Sequence, residues 1–167
     1  MTERTSTMAG GAALSDDGLY RYQLWRRWAE GPTACWVMLN PSTADAEQDD
    51  PTIRRCIAFS KREGMGALTV VNLFAYRATD PADLLHLEHD EAVGPGNDDR
   101  IRDGAVGADR VIVAWGALLS RMRLRAAIVT TALLGVTDQM WCLGTTKDGH
   151  PRHPLYVRGD QPLEVYP

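Results

Sequence analysis

Short apolar runs alternate with amphipathic segments along this chain. The runs cover residues 34–39, 68–71, 110–116 and 139–144, and each is flanked by polar residues, glycine or proline. Runs of this length, rich in β-branched and aromatic residues, predict buried strands. Strands that alternate with helices predict an α/β fold. We expect a three-layer α/β/α sandwich around a mainly parallel central sheet.

Helix start and stop signals lie between these strands. Asp50 followed by Pro51 predicts an N-cap and the first residue of a helix that continues to about Arg62. Gly64 is expected to end that helix. Further helices are predicted over residues 82–86, 99–104 and 117–135.

The N-terminal part of the chain divides into two segments of different character. Residues 1–17 are small, polar and without periodicity, which predicts a disordered leader. Residues 18–28 alternate apolar and polar positions, which predicts a strand that could lie at the edge of the sheet. Residues 18–167 are therefore expected to form a single domain.

Composition excludes several classes of protein. A net charge of −4 and a pI of about 5.5 argue against a protein that coats nucleic acid electrostatically. The chain has no apolar run of about 20 residues, so we expect no membrane partner. Its three cysteines have no paired spacing, which predicts buried free thiols and a cytoplasmic location. No metal-ligand spacing occurs, so we expect neither a metal nor another cofactor.

Polar residues follow each predicted strand. Asn40, Pro41, Ser42 and Thr43 follow the first, Asn72 follows the second, Trp115-Gly116 ends the third, and the loop after the fourth contains His150 to Tyr156. Ligands of open α/β sheets bind at the carboxyl ends of the strands. Each signal alone is weak, since an asparagine after a strand is more often a turn residue. The order of the four carries more information than any one of them.

The chain resembles an uncharacterised family, domain of unknown function 1643, from Tyr20 to Tyr156. The motifs that carry this resemblance are MLNPSTADA (38–46), DPTIRRC (50–56), VVNLFAYRATDP (70–81), GPGND (94–98), AWG (114–116) and HPLY (153–156). The order of the loops also resembles, more remotely, the uracil-DNA glycosylase superfamily, and above all its mismatch-specific branch.

The glycosylase resemblance implies a hydrolase that cleaves a base–sugar N-glycosidic bond, as in DNA repair. Asn40 would then orient the attacking water, Asn72 would read the base, and His153 would stabilise the departing anion. Pro41, Ser42 and Thr43 would line the substrate site. Arg152 and Tyr156 would contact the phosphate backbone or the duplex. The ligand would contain a nucleobase, either in a nucleotide or in a locally gripped nucleic acid.

The residues leave three other interpretations open. Asp45 or His153 could act as the general base of a different hydrolase or transferase. The protein could also be a non-catalytic module that binds nucleotides or nucleic acid. Arg54, in the first turn of a helix, could bind a phosphate or could form surface salt bridges with the acidic residues at 45–50. Thr52 and Ile53 stand where the glycosylases have a stacking aromatic residue, so uracil specificity is not expected.

Overall fold

A computed structural model describes residues 8–167, whose strands form one mixed sheet. The strands are β1 (Ala9–Leu14), β2 (Arg21–Arg27), β3 (Thr33–Met38), β4 (Ala67–Asn72), β5 (Arg110–Val113), β6 (Met140–Cys142) and β7 (Glu164–Val165). Their order in the sheet is β1-β2-β4-β3-β5-β6-β7. The central pairs β4-β3, β3-β5 and β5-β6 are parallel. The outer pairs β1-β2, β2-β4 and β6-β7 are antiparallel. The predicted α/β fold is confirmed, but the sheet is parallel only in its core.

Four α-helices accompany the sheet in the described part of the chain. They are α1 (Pro51–Arg62), α2 (His89–Val93), α3 (Asn97–Val106) and α4 (Arg123–Leu134). The predicted start of α1 is confirmed, because Asp50 Oδ1 accepts a hydrogen bond of 2.9 Å from the Ile53 N–H. Short 3₁₀ helices cover Pro81–His86, Ser120–Met122 and Pro154–Tyr156. The first of these is the short helix predicted over 82–86, and it is a 3₁₀ helix.

The helix predicted over 117–135 is shorter than expected at its start. The chain is still extended at Leu119, and the 3₁₀ turn precedes α4. The end of the helix is predicted correctly, since Gly135 is its C-cap. Residues 114–117 leave β5 as an irregular segment instead of continuing the strand to residue 116.

The two faces of the sheet pack against different helices. In β3, Cys35 and Val37 belong to one apolar cluster, which also includes residues of α3 and α4. Trp36 and Met38 belong to a second cluster, which includes residues of α1. This alternation follows from the period of two along a strand. The three cysteines are buried free thiols, as predicted for Cys35 and Cys142.

The predicted disordered leader is wrong over residues 9–14, which form the edge strand β1. Residues 1–7 of that leader lie outside the described residues. The strand is rich in glycine because large side chains of β2 lie over it. A Cβ atom at Gly10 would come within 2.8 Å of Arg26, and one at Gly11 within 2.5 Å of Trp25. Because β1 pairs with β2, the latter lies inside the sheet and not at its edge.

An irregularity at the start of β2 determines which way Arg21 points. Ala13 pairs with Gln23 and Leu14 with Arg21, so Tyr22 has no partner of its own on β1. A bulge of this kind changes the face on which the preceding side chain lies. Arg21 is buried together with Leu24 and Arg26, whereas Trp25 is exposed. No helix within residues 8–167 is long and apolar enough to cross a bilayer.

Candidate functional site

A cleft of about 700 Å³ lies at the carboxyl ends of the parallel strands. It is bordered by the loops that follow β3, β4, β5 and β6, and by the first residues of α1. Of the predicted site residues, those that line it are Asn40, Ser42, Thr43, Asn72, Arg152, His153 and Tyr156. Pro41, Asp45 and Arg54 are not among its lining residues. The cleft therefore brings together all four polar strand ends.

The side chain of Asn40 is held in one orientation by the backbone. Its Nδ2 atom donates to the carbonyl oxygens of Ala78 at 2.7 Å and of Pro41 at 3.1 Å. Both bonds use the amide donor, so Oδ1 is the polar atom that remains for a ligand or a water molecule. Pro41 is buried, and its carbonyl also accepts the Ala78 N–H at 3.0 Å. Pro41 thus fixes the loop and does not line the cleft.

Asn72 presents an amide without hydrogen-bond partners to the cleft. It ends β4 opposite Met38, two residues below the level of Asn40, and is only 1% exposed. Neither Nδ2 nor Oδ1 has a partner within the described residues. Buried polar side-chain atoms in folded proteins almost always have a partner, and an unpaired one is costly. The amide of Asn72 is therefore available for hydrogen bonds with a water molecule or a ligand in the cleft.

His153 is a neutral hydrogen-bond donor in this structure. Its Nδ1 atom accepts the Leu155 N–H at 3.1 Å, which places the proton of the neutral ring on Nε2. Burial lowers the pKa of His153 to about 4, and the nearby carboxylate of Asp50 opposes this only in part. The histidine fits because residue 116 is glycine. A Cβ there would lie 3.1 Å from the Cβ of His153, and the φ of Gly116 is +77°.

Asp45 and Arg54 serve local structure. The Oδ1 atom of Asp45 accepts the N–H groups of Gln48 at 2.8 Å and Glu47 at 2.9 Å. These bonds lower the pKa of the Asp45 carboxyl. Arg54 is exposed, and its Nη1 atom donates to the carbonyl of Asp49 at 3.1 Å. Neither side chain is among the residues that line the cleft.

Two charged residues that line the cleft, Arg21 and Asp50, are not among the predicted site residues. Arg21 is 2% exposed; its Nη1 atom donates to the Ala44 carbonyl at 2.8 Å, and its Nε atom has no partner among the described residues. Asp50, predicted as the N-cap of α1, also lines the cleft. Its Oδ1 caps Ile53, and its Oδ2 accepts the Ala44 N–H at 3.4 Å. Nothing in the local sequence marks Arg21, because the bulge in β2 determines its direction.

The last loop of the site is fastened to α1. The guanidinium of Arg55 donates from Nε to the Pro154 carbonyl at 3.0 Å and from Nη2 to the Val157 carbonyl. Arg152 and Tyr156 are exposed, the latter by 82%, so they form the rim of the cleft. The ring of Tyr156 lies 5.4 Å from that of His153, centroid to centroid.

Comparison with known proteins identifies a family but no activity. No curated protein and no solved structure matches the chain. A family model matches residues 21–155, which include every strand end that borders the cleft. The match spans most of the chain. The chain therefore belongs to the family described as "Protein of unknown function (DUF1643)".

Proposed function

We propose that the cleft binds a nucleobase-containing ligand and that the protein hydrolyses its base–sugar N-glycosidic bond. The observation that carries this proposal is the buried, unpartnered amide of Asn72. An amide offers one acceptor and two donor hydrogens in a plane, and base edges present the complementary pattern. A cleft of about 700 Å³ has room for a ligand of nucleotide size.

The proposed reaction is a displacement by water at the sugar carbon. The C–N bond to the base breaks, the water oxygen bonds to the carbon, and the water proton leaves with the departing base. The Oδ1 atom of Asn40 accepts a hydrogen bond from the water and orients it. The Nε2–H of His153 donates to the developing negative charge on the base. Because an amide is not a base, we expect slow turnover.

The remote likeness to the uracil-DNA glycosylase superfamily is part of this proposal. Helices pack against both faces of the sheet, as a three-layer α/β/α sandwich requires, and four polar loops meet at one edge. These features support a glycosylase-like arrangement around Asn40, Asn72 and His153. Two features differ from that pattern. The outer strand pairs are antiparallel, and Thr52 and Ile53 stand where the glycosylases have an aromatic residue.

The test is base release from a panel of modified oligonucleotides and nucleotides, followed by chromatography of the free base. Asn40→Ala is expected to abolish release while circular dichroism and the melting temperature show an intact fold. Asp45→Asn is the control, because Asp45 lies outside the cleft-lining residues. Loss of base release in Asp45→Asn would instead assign the general base of the reaction to that carboxylate. Absence of release from the whole panel would refute the glycosylase assignment.

A non-catalytic binding module is the second candidate. It is favoured by the hydrogen bonds of Asn40. The Nδ2 atom donates to two backbone carbonyls and so stabilises the loop instead of contacting a ligand. This candidate predicts that nucleotides raise the melting temperature without any base release. Asn72→Ala should then abolish the stabilisation. Turnover with any member of the panel would exclude it.

A further inference from the structure

Arg21 is a buried cation that has no ion-pair partner among residues 8–167. Three arginines are buried in the described chain: Arg21, Arg26 and Arg125. The Nε of Arg26 pairs with Asp49 at 2.9 Å, and the Nη2 of Arg125 pairs with Asp98 at 2.6 Å. The ion pairs of the described residues do not include Arg21, which makes one hydrogen bond, to a neutral carbonyl. Burial of an unpaired charge is costly, so this guanidinium lacks a partner that the other two possess.

The position of Arg21 indicates what that partner would be. Arg21 lines the cleft, whereas Arg26 and Arg125 do not. Burial lowers the pKa of Arg21 to about 10, so the side chain is still charged at neutral pH. Pro51 and Thr52, at the start of the 12-residue helix α1, line the same cleft. A helix N-terminus carries a partial positive charge that favours an anion, and here the Asp50 carboxylate that caps Ile53 meets part of it.

The carboxylate of Asp50 does not replace this anion. It attracts Arg21 electrostatically, but the two side chains are not an ion pair. Both of its oxygens are engaged by the N–H groups of Ile53 and Ala44. The carboxylate therefore holds the helix and the loop after β3. Within the described part of the chain, the guanidinium of Arg21 has no hydrogen bond to an oxyanion.

We propose that a phosphate group of the ligand pairs with Arg21, and that the ligand of this cleft is a mononucleotide, not a free base or nucleoside. The base part of this inference rests on the proposed function, whereas the phosphate part does not. A planar guanidinium with free N–H groups suits a phosphate better than it suits a neutral group. Arg152, which lies on the rim of the same cleft, would be the second arginine to contact the phosphate.

The experiment is calorimetric titration of the full-length protein with three probes. They are inorganic phosphate, the common nucleosides, and the 5′-monophosphates of those nucleosides. The variants are Arg21→Gln, Arg21→Lys and, as matched control, Arg26→Gln, which removes a buried arginine of the same strand outside the cleft. The affinity ratio of monophosphate to nucleoside is compared within each variant, so that general destabilisation cancels.

The expected ratio is about 10- to 100-fold in the wild type and in Arg26→Gln, the range of a charge-assisted hydrogen bond. It should fall to near unity in Arg21→Gln and recover in part in Arg21→Lys. A ratio near unity in the wild type would overturn the inference even if Arg21→Gln does not fold. A ratio that survives in Arg21→Gln would also overturn it.

Two further arms separate the possible outcomes. A short single-stranded oligonucleotide that binds far more tightly than the monophosphate would refute the commitment to a mononucleotide and indicate a phosphodiester. Arg21-dependent binding of inorganic phosphate, without binding of any nucleoside or nucleotide, would support the oxyanion site and refute the nucleobase part. Asn72→Ala should weaken the binding of nucleotides and leave the binding of inorganic phosphate unchanged.

Discussion

The neutral state of His153 gives the protein a predictable loss of stability in acid. The pKa of this histidine is about 4 in the folded protein against 6.5 ordinarily. Between these values the unfolded chain binds more protons than the folded chain, so acidification favours unfolding. The part of the free energy of unfolding that depends on a neutral His153 is fully present above pH 6.5 and is lost as the pH falls towards 4. At pH 5 the loss due to His153 alone is about 2 kcal/mol, from the two proton-binding equilibria.

Urea denaturation at pH 7.5 and at pH 5 measures this loss. The free energy of unfolding of the wild type should fall between the two conditions by about 2 kcal/mol more than that of His153→Gln. His86→Gln is the control, because His86 is exposed. Its free energy should fall as much as that of the wild type. An equal fall in the wild type and His153→Gln would refute a half-buried histidine that is neutral in the folded protein. So would an NMR titration of His153 with a midpoint at 6.5 or above.

Two glycines provide further tests. Gly116→Ala combines a φ of +77° with a contact of 3.1 Å to the Cβ of His153, so it should cost more stability than Gly149→Ala, which has a φ of +81° and open space. We expect a difference of about 1 kcal/mol in denaturation and a shifted His153 ring resonance; equal costs would contradict the contact. Gly11→Ala should loosen β1, because its Cβ would lie 2.5 Å from the indole of Trp25. Faster amide exchange over residues 9–14, with little change in β5, is the expected result, and unchanged exchange would contradict the packing.

The elements that the sequence predicts well are those with local causes. Asp50 and Pro51 predict the start of α1, because the N-cap hydrogen bond of Asp50 and the fixed φ of Pro51 both act within one turn. The polar ends of the parallel strands were equally predictable. Asn40 and Asn72 follow buried apolar runs, and the parallel register brings both to one edge of the sheet.

The features that escaped prediction depend on contacts distant in sequence. Residues 9–14 have no periodicity, and only the side chains of Trp25 and Arg26 explain their glycines. Arg21 reaches the cleft because a bulge in β2 changes its face, and a bulge leaves no mark in the residues themselves. The turn in which Asp45 accepts the N–H groups of Glu47 and Gln48 depends equally on the path of its loop.

The bonds of Arg55 have a consequence for how the cleft meets a ligand. Helix α1 is attached at its N-terminus to the loop after β3, through Asp50, and at Arg55 to the loop that carries His153. The loop after β3 and the loop that carries His153, which lie on two sides of the cleft, are thereby both hydrogen-bonded to α1. Such a cavity is preorganised: its shape is settled before the ligand arrives, and little conformational entropy is lost on binding. Ligand selectivity in this protein would then come from shape complementarity to a preformed site and not from conformational closure around the ligand.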